Sequence, residues 1–209
     1  GQLFEIVRLV KPDTKIFPPL SSHIFGKCKE EYQDETTAFN PQSPYAIAKV
    51  HAYYLSKFYR DVYGMFIANA ILYNHESPRR TEEYVTQKII KTALRKEKLI
   101  LGDTTALIDW GYALEYMEAA WKMLQLQTPD VFIIATGEVH TVHDFVVETY
   151  TQLKLEPYYE TYKTLKRPSV NSVLMGNYGK AKKEFGFEPK VKFKDLIKLC
   201  INTQLRNQI

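Results

Sequence analysis

The chain has 209 residues, of which 45% are hydrophobic, so it is long enough to bury a core. Its 28 Lys and Arg against 24 Asp and Glu give a net charge of +4, and the basic clusters at 179 to 183 and 190 to 194 are typical of solvated faces. No apolar run approaches the ~20 residues of a membrane span. Only two cysteines occur, Cys28 and Cys200, which excludes a disulfide framework. We expect a soluble, cytoplasmic protein with no nucleic-acid or membrane partner.

The first 22 residues predict a helix followed by a short strand. Over residues 1 to 10, apolar side chains recur with helical spacing and form one face: Leu3, Ile6, Val7 and Val10. Residues 14 to 22 have the position of a short buried strand. Because Pro18 and Pro19 cannot donate ladder hydrogen bonds, we do not expect a well-formed central strand there.

The clearest helix covers residues 41 to 64, with Ser43 as N-cap, Pro44 at the first helical position and Gly64 at its end. A continuous apolar run then predicts a buried strand over residues 65 to 74. Further helices are expected at 83 to 96, 110 to 125, 141 to 153, 177 to 185 and 192 to 206, with a strand at 131 to 137. This alternation predicts an α/β protein with a mainly parallel sheet.

Tyr45 precedes Lys49 by four residues at the start of that helix. The spacing puts both on one face, where an ammonium favours an ionised phenol that transfers protons near neutral pH. The spacing alone is not specific, because the sequence contains seven such pairs: Tyr45/Lys49, Tyr53/Lys57, Tyr84/Lys88, Tyr150/Lys154, Tyr159/Lys163, Tyr162/Lys166 and Tyr178/Lys182. What distinguishes Tyr45 is its place in the first turn of the best-capped helix, 24 residues after Ser21 at the end of the expected strand.

Longer stretches of the sequence resemble the GDP-mannose 4,6-dehydratase family, a branch of the extended short-chain dehydrogenases/reductases. They are "SSHIFG", "ETTAFNPQSPYAIAKVHAYYLSKFYRDVYGMFIANAILYNHESPRR", "LGDTTALIDWGYALEYMEAAW" and "FIIATGEVHTVHDFV". The resemblance runs from about residue 12 to 206. Its most specific segments are "NHESPRR", "SPYAIAK" and "IATGEVH".

The resemblance implies a Rossmann-like parallel sheet that lacks its N-terminal dinucleotide-binding half, with a smaller sugar-nucleotide-binding domain. Residues 1 to 73 would be the C-terminal part of the NAD(P)-binding domain. Residues 74 to 209 would form the substrate-binding region, interleaved with the last Rossmann helix and strand at about 110 to 137. The glycine-rich turn G-x-x-G-x-x-G, which binds the cofactor pyrophosphate in extended members, does not occur in this sequence. We therefore expect the C-terminal two thirds of such a protein.

The resemblance also implies an NADP-dependent reaction: a hydride leaves C4 of mannose, water is eliminated across C5 and C6, and the hydride returns at C6. Tyr45 would remove the C4 hydroxyl proton, Lys49 would lower the pKa of Tyr45 and hold the nicotinamide ribose, and Ser21 stands where the family has threonine. His23 falls on the family's glutamate, the acid and base of the elimination. Two interpretations stay open: the imidazole shuttles that proton, or it fills the space without replacing the function.

The cofactor contacts implied by the resemblance are Tyr45, Lys49, Asn74, His75, Arg79 and Arg80. Arg79 and Arg80 belong to the "SPRR" loop, which in the family reaches toward NADP and the neighbouring subunit, so a homo-oligomer is implied. The alternative for these arginines is an exposed basic turn after Pro78.

The implied substrate contacts are Asn74, Val85, Lys88 and Arg167, with Arg and Lys as the expected partners of phosphate. The family's arginines before "DWG" and before Lys88 are Ile108 and Gln87 here, and a glutamate shortly after Arg167 is missing. Because a contact to a charged group contributes roughly 1.5 to 3 kcal/mol, loss of one predicts about ten- to hundredfold weaker binding.

No metal site is expected. His75, His140 and His143 include no pair with the i, i+4 spacing and carboxylate partner of a zinc-binding helix. Trp110 and Trp121 are expected on the apolar stripe of their helix, which favours a place in the core.

Two functions from different classes follow. The first is an enzyme that acts on GDP-mannose or a related sugar nucleotide with NADP. The second is a catalytically impaired relative that binds partners or serves as an oligomerisation subunit. The hypothesis of a nucleic-acid binder rests only on the mildly basic net charge. Such a function needs a clustered basic face, which the sequence does not show.

Overall fold

The computed structural model describes residues 1–162, 164 and 173–206. The helices in these ranges are α1 (Gln2–Val10), α2 (Pro44–Tyr63), α3 (Val85–Arg95), α4 (Ala113–Gln125), α5 (Val142–Leu153), α6 (Gly179–Phe185) and α7 (Phe193–Arg206). The strands are β1 (Pro19–Ser21), β2 (Asn69–Leu72), β3 (Asn74–Glu76), β4 (Leu99–Leu101), β5 (Leu107–Ile108), β6 (Trp110–Tyr112), β7 (Val131–Ile134), β8 (His140–Thr141) and β9 (Tyr159–Thr161). Within the described ranges, none of the helices has the length and apolar character needed to cross a membrane.

The central sheet consists of parallel strands in the order β1-β2-β7. Ser21 at the end of β1 pairs with Leu72 of β2, and Leu72 pairs with Ile134 of β7. Every residue of β2 and β7 is buried, which explains why both strands have continuous apolar sequences. The α/β class and the parallel sheet predicted from the sequence are confirmed.

Helices cover both faces of this sheet. Ala70 and Leu72 of β2 pack in one cluster with α4 and α6, including Tyr116. Ile71, between them in sequence, packs in a different cluster that includes Tyr53 of α2. Because successive side chains of a strand point to opposite faces, the sheet is a middle layer between α2 on one side and α4 with α6 on the other.

A second core lies beyond the carboxyl end of β2. Ile89 of α3, Phe145 of α5 and Leu196 of α7 are buried in one cluster with Trp110 of β6. Short strand pairs border this core: β3 with β6 and β4 with β9 are parallel, and β5 with β8 is antiparallel. Since β3 begins at Asn74, two residues after β2 ends, the chain passes directly from the central sheet into this second region.

The strand expected over residues 14 to 22 is only three residues long and lies at the edge of the described central sheet. Pro19 is its first residue, a position where the missing amide donor is tolerated. The carbonyl of Pro18 accepts a hydrogen bond from Asn69 Nδ2 at 3.1 Å. The prolines therefore shorten the strand, while Ser21 still forms its end.

The two tryptophans do not share a helical stripe, contrary to the prediction from the sequence. Trp110 belongs to β6, is 4% exposed and stacks against Phe193 with ring centroids 6.0 Å apart. Trp121 lies in α4 but is 62% exposed, so its expected place in the core is wrong. Helix α4 starts only at Ala113 because the preceding backbone pairs with β3, an interaction that local periodicity does not reveal.

Three of the four residues expected on the apolar face of α1 are exposed, whereas the fourth, Val7, packs against the cluster of Phe4 and Tyr59. Leu3, Ile6 and Val10 are each more than half exposed. Phe4 is buried instead, edge-on to Tyr59 of α2 with ring centroids 5.5 Å apart. Helices α1 and α2 therefore adjoin each other through a different side of α1.

Candidate functional site

A cavity of about 490 Å³ opens at the carboxyl ends of β1 and β2, where parallel sheets commonly bind ligands. We call it the Tyr45 cavity. Seven of the residues singled out from the sequence line it: Ser21, His23, Tyr45, Lys49, Asn74, His75 and Arg80. Residues that are far apart in the sequence are thus brought together at one place.

The start of α2 presents Tyr45 and Lys49 to this cavity. Ser43 Oγ accepts a hydrogen bond from a backbone amide of the first turn at 3.1 Å, and Pro44 occupies the first helical position. This cap fixes where the helix begins, so Tyr45 and Lys49 lie one turn apart on the same face. At the other end Gly64 has φ 64°, a left-handed conformation that closes the helix. The predicted cap and stop signals are confirmed.

The ammonium of Lys49 ties α2 to β1. Its Nζ donates a hydrogen bond to the carbonyl of Pro19 at 2.9 Å and lies 5.7 Å from the centroid of the Tyr45 ring. Ser21, two residues beyond Pro19, is buried, whereas Tyr45 is 56% exposed. A hydroxyl, a phenol and an ammonium therefore share one cavity, a set of groups that can transfer a proton.

His23 lies in the short 3-10 turn that follows β1. Its backbone N–H donates to Ser21 Oγ at 3.3 Å, and its ring lies 6.2 Å from the ring of Tyr45. Burial lowers the pKa of the His23 imidazole, because a charged ring would lose its hydration. The neutral ring is therefore favoured at neutral pH, and it can accept a proton.

His75 is oriented by the backbone of the residue two before it. Its Nδ1 donates to the carbonyl of Tyr73 at 2.8 Å, which leaves Nε2 as the acceptor of the neutral ring. Burial is the main cause that lowers the pKa of His75, with the charge of Arg80 acting in the same direction. Asn74, beside it on β3, is exposed and lines the same cavity.

The two arginines of the "SPRR" loop, Arg79 and Arg80, lie in different surroundings. The guanidinium of Arg80 lies 3.4 Å from the centroid of the Tyr84 ring, and its Nε lies 3.6 Å from Glu76 Oε2. Arg79 is exposed, and its backbone N–H donates to Ser77 Oγ at 3.2 Å. The structure brings Arg80 to the Tyr45 cavity, whereas Arg79 is not among the residues that line it.

A second cavity, of about 920 Å³, lies between the start of α3 and the segment that joins β4 to β5. We call it the Lys88 cavity. Val85 and Lys88 line it, whereas Asn74 lines the Tyr45 cavity and Arg167 lies outside the described residues. Lys88 Nζ donates to the carbonyl of Ile100 at 2.6 Å, which holds this cation at the cavity wall.

Ile108 and Gln87, the two positions where the sequence resemblance implies arginine, differ in environment. Ile108 of β5 lines the Lys88 cavity with an aliphatic side chain. Gln87 is buried: its amide donates to the carbonyl of Ser77 at 3.1 Å, and its Oε1 accepts from Gln204 at 3.2 Å. Gln87 therefore supports the loop before α3, whereas Ile108 contributes an aliphatic surface to a cavity wall.

Tyr84 and Met117 are site residues that the sequence analysis does not propose, although Tyr84 occurs in one of the seven Tyr-x-x-x-Lys pairs. Both line the Tyr45 cavity, and Tyr84 lines the Lys88 cavity as well. Tyr84 stands at the N-cap position of α3, immediately before Val85, and this neighbourhood is the signal that points to it. Met117 comes from α4 on the opposite side of the sheet, and its local sequence carries no such signal.

The histidines after β7 have aromatic neighbours. His140 stacks on Phe193 with ring centroids 3.8 Å apart, and His143 Nδ1 lies 2.8 Å from the hydroxyl of Tyr159. In the part of the chain that the structure describes, no three His, Cys, Asp or Glu side chains form a group that could hold a metal ion.

A sequence model of the family described as GDP-mannose 4,6 dehydratase matches residues 1–200 of the chain. The chain belongs to the GDP-mannose 4,6-dehydratase family. Within this family, GDP-mannose 4,6 dehydratase 1 of Arabidopsis thaliana is 40% identical over 215 residues, covering 98% of the chain and 59% of the plant protein. The GDP-mannose 4,6 dehydratase of Homo sapiens is 36% identical over 215 residues, covering 91% of the chain and 58% of the human protein. The chain therefore spans less than three fifths of the length of either relative.

Solved structures share the fold at lower identity. The dTDP-glucose 4,6-dehydratase from Bacillus anthracis, in complex with NAD, has a TM-score of 0.89 at 23% identity, covering 99% of this chain and 66% of that one. RMD from Pseudomonas aeruginosa, complexed with NADPH, has a TM-score of 0.87 at 15% identity, covering 99% and 71%. The likeness concerns the fold alone. It confirms the Rossmann-like architecture expected of a GDP-mannose 4,6-dehydratase family member.

Proposed function

We propose that the chain forms the catalytic and substrate-binding part of a GDP-mannose 4,6-dehydratase, which converts GDP-mannose to GDP-4-keto-6-deoxymannose with NADP. The proposal rests on one observation: Ser21, Tyr45 and Lys49 line the same cavity at the carboxyl ends of parallel strands. The family supports the choice of substrate, because the relatives from Arabidopsis thaliana and Homo sapiens are named GDP-mannose 4,6 dehydratases.

The polar groups of the Tyr45 cavity fit the nicotinamide end of such a cofactor. The Lys49 ammonium and the Tyr45 phenol are suited to ribose hydroxyls, and the Asn74 amide and His75 Nε2 supply further polar contacts beside them. A bound nicotinamide would supply the redox chemistry, by accepting a hydride and returning it. Arg79, on the exposed loop nearby, is proposed to reach the cofactor from outside this cavity.

Tyr45 is proposed to take the proton of the C4 hydroxyl. Its half-exposed phenol lines the cavity, so a sugar can reach it. Lys49 supplies a positive charge 5.7 Å from the ring centroid, which stabilises the negative charge of the phenolate that takes this proton. Ser21 Oγ already accepts from the His23 amide, so its own O–H is the donor that is left for the same sugar oxygen.

His23 is proposed to carry the proton transfers of the elimination across C5 and C6, the task of the family's glutamate. Its imidazole lines the Tyr45 cavity, and burial favours the neutral form that accepts a proton. The proton taken from C5 then leaves with the C6 hydroxyl as water. The ring thereby returns to its neutral state. When the hydride returns to C6, C5 takes up one proton, and the proton that Tyr45 took from the C4 hydroxyl balances this uptake.

The Lys88 cavity is the proposed site of the nucleotide. Lys88 places a cation at its wall, Val85 lines it, and Arg167 is a proposed phosphate contact from the family resemblance alone. Ile108 leaves an aliphatic surface where the family has arginine, so we expect about ten- to hundredfold weaker binding than with that contact. This assignment corresponds to a proposed substrate region over residues 74 to 209.

We further propose that two copies of the chain associate through α1 and α2. Large apolar side chains are exposed in one row on each helix: Leu3, Ile6 and Val10 on α1, and Ile47, Tyr54 and Phe58 on α2. Such rows on adjoining helices are typical of a helix-bundle interface. A two-fold arrangement of two copies would cover both rows at once.

The same exposed rows support a second candidate function, that of an oligomerisation subunit with impaired catalysis. In that case the chain would pair with an active relative through α1 and α2. His23 would then occupy the space of the family's glutamate without transferring a proton.

Turnover by the protein expressed from its complete gene distinguishes the two. GDP-mannose and NADP are supplied, and the 4-keto-6-deoxy product is measured by mass spectrometry. Product that disappears in Tyr45→Phe supports the enzyme. Absence of product at high protein concentration, together with co-purification with an active relative, supports the oligomerisation subunit.

A further inference from the structure

Tyr84 stands between the Tyr45 cavity and the Lys88 cavity. Of the residues that the structure describes, it alone lines both. Its side chain is 48% exposed, so the ring forms a wall that a ligand can touch on both sides. The ring therefore borders both cavities, and a ligand that spans them can contact it.

A chain of contacts fixes the ring in place. The guanidinium of Arg80 lies 3.4 Å from its centroid, a cation–π distance. Arg80 Nε is in turn 3.6 Å from the carboxylate of Glu76, which is buried and accepts a hydrogen bond from Thr86 Oγ1 at 2.9 Å. The wall between the cavities is therefore anchored to β3 on one side and to α3 on the other.

The backbone of Tyr84 is fixed as well. Its N–H donates to the carbonyl of Thr81 at 3.3 Å, and its own carbonyl accepts from the N–H of Lys88 at 3.0 Å. The ring and the Lys88 ammonium therefore start from the same helical turn. Arg80 holds the ring, and the carbonyl of Ile100 holds the ammonium at 2.6 Å.

We propose that Tyr84 is a positioning residue that divides the sugar nucleotide, with the hexose in the Tyr45 cavity, the nucleoside in the Lys88 cavity and the diphosphate passing the ring. The inference rests on the proposed function, since it takes a sugar nucleotide as the ligand. The phenol O–H donates to a phosphate oxygen, and Arg80 on the ring places a positive charge beside the same anionic group. The hexose is thereby held in reach of Tyr45.

Binding of guanosine, GDP and GDP-mannose, measured by calorimetry on the protein from its complete gene, tests each part of the ligand. Tyr84→Phe keeps the ring and its contact with Arg80 but removes the O–H. GDP and GDP-mannose should then bind about tenfold more weakly, with guanosine unchanged. Tyr84→Ala also removes the ring that separates the cavities. The affinity for GDP-mannose should then fall by roughly a further tenfold relative to the affinity for GDP. In turnover, the KM of Tyr84→Ala should rise and its kcat should fall, because the hexose is no longer held at Tyr45.

Tyr158 offers a matched control. It is 53% exposed, has Lys98 Nζ 6.0 Å from its ring centroid, and lines neither cavity. Tyr158→Phe and Tyr158→Ala should leave the Kd values of all three ligands at those of the wild type.

The outcomes separate this inference from the function on which it rests. Two results would overturn the inference alone, provided that the wild type binds GDP-mannose. In the first, Tyr84→Phe binds GDP with the Kd of the wild type. In the second, Tyr84→Phe weakens the binding of guanosine as much as that of GDP. If the wild type binds neither GDP nor GDP-mannose, the proposed function fails and the inference fails with it. Thermal unfolding shows whether Tyr84→Ala folds, and Tyr84→Phe decides the question if it does not.

Discussion

The imidazole of His23 stands edge-on to the phenol of Tyr45, with ring centroids 6.2 Å apart and an interplanar angle of 82°. His23 comes from the turn after β1 and Tyr45 from the first turn of α2, so two separate elements bring the rings together. In the proposed reaction the two residues serve successive steps, Tyr45 at C4 and His23 at C5 and C6. Substitutions at the two positions should therefore have different consequences.

Tyr45→Phe should reduce kcat by about 10²- to 10⁴-fold, because the ring is kept and only the proton-transferring oxygen is lost. Turnover of GDP-mannose measures the effect. Tyr63→Phe is the matched control, since Tyr63 is an exposed tyrosine on the same helix that does not line the cavity. An active Tyr45→Phe protein would refute the proposed role.

His23 should give the reaction a characteristic dependence on pH. Burial lowers the pKa of His23 from its ordinary value of 6.5, so kcat should hold at pH 7 and fall only when acid protonates the ring. His23→Glu should move this fall to lower pH, because a carboxylate remains a base there. His23→Ala should lose the exchange of the C5 hydrogen with solvent deuterium, measured by mass spectrometry. Identical pH profiles for wild type and His23→Glu would show that the imidazole does not carry the proton.

Asp109 should make the free energy of unfolding depend on pH. Its carboxylate is buried and accepts hydrogen bonds from the N–H of Thr136 at 2.9 Å and of Gly137 at 3.0 Å. Burial is the main cause that raises the pKa of Asp109 to about 6 in the folded chain, against about 3.9 when unfolded. The folded state therefore binds more protons between these values. The protonated form of Asp109 therefore stabilises the folded state below about pH 4. This contribution to the free energy of unfolding, roughly 3 kcal/mol, is lost as the pH rises to about 6.

Urea unfolding between pH 4 and 7 measures this dependence. Asp109→Asn, which does not titrate, should remove the corresponding part of the slope, whereas Asp13→Asn at an exposed position should leave it unchanged. Equal slopes in wild type and Asp109→Asn would contradict the assignment.

The two tryptophans should differ sharply in their effect on stability. Trp110→Ala removes a ring buried against Phe145 and Phe193 and should lower the free energy of unfolding by about 3 to 5 kcal/mol. Trp121→Ala, on the exposed face of α4, should change it by less than about 0.5 kcal/mol. Urea unfolding measures both variants. If Trp110→Ala and Trp121→Ala lowered the free energy of unfolding equally, Trp121 would have to be covered in solution.

Phe58→Glu should convert the proposed dimer to a monomer, because it places a charge in the apolar row of α2. Light scattering coupled to size-exclusion chromatography measures the mass. Leu205→Glu introduces the same charge at an exposed leucine of α7 and should leave the dimer intact. A wild-type protein that is monomeric at all concentrations would rule out the interface.

Local signals account for the elements that the sequence predicts well. Helix α2 carries its own start and stop in Ser43, Pro44 and Gly64, so its limits do not depend on the rest of the fold. The short strands carry no comparable signal. Strand β3 exists because Asn74 pairs with Trp110, a residue far along the chain, and the same pairing delays the start of α4.

The candidate site divides in the same way. Family motifs in the sequence indicate Ser21, Tyr45 and Lys49, and one cavity contains all three. Met117 reaches the site through packing between elements, which no spacing in the sequence encodes, and Tyr84 is indicated only by its place beside Val85. The sequence therefore indicates the reacting groups, whereas the walls that would hold a ligand against them depend on how the helices and strands pack in three dimensions.

Strand β1, at the edge of the central sheet, has a ladder of hydrogen bonds on one side only within the described part of the chain. Its amides should therefore exchange with deuterated solvent by local fraying, well before those of β2, which is paired on both sides. The hydroxyl of Ser21 thus lies on one of the two edge strands of the described sheet. A ligand that joins Ser21 to α2 should slow the exchange of β1 while it leaves that of β2 and β7 unchanged.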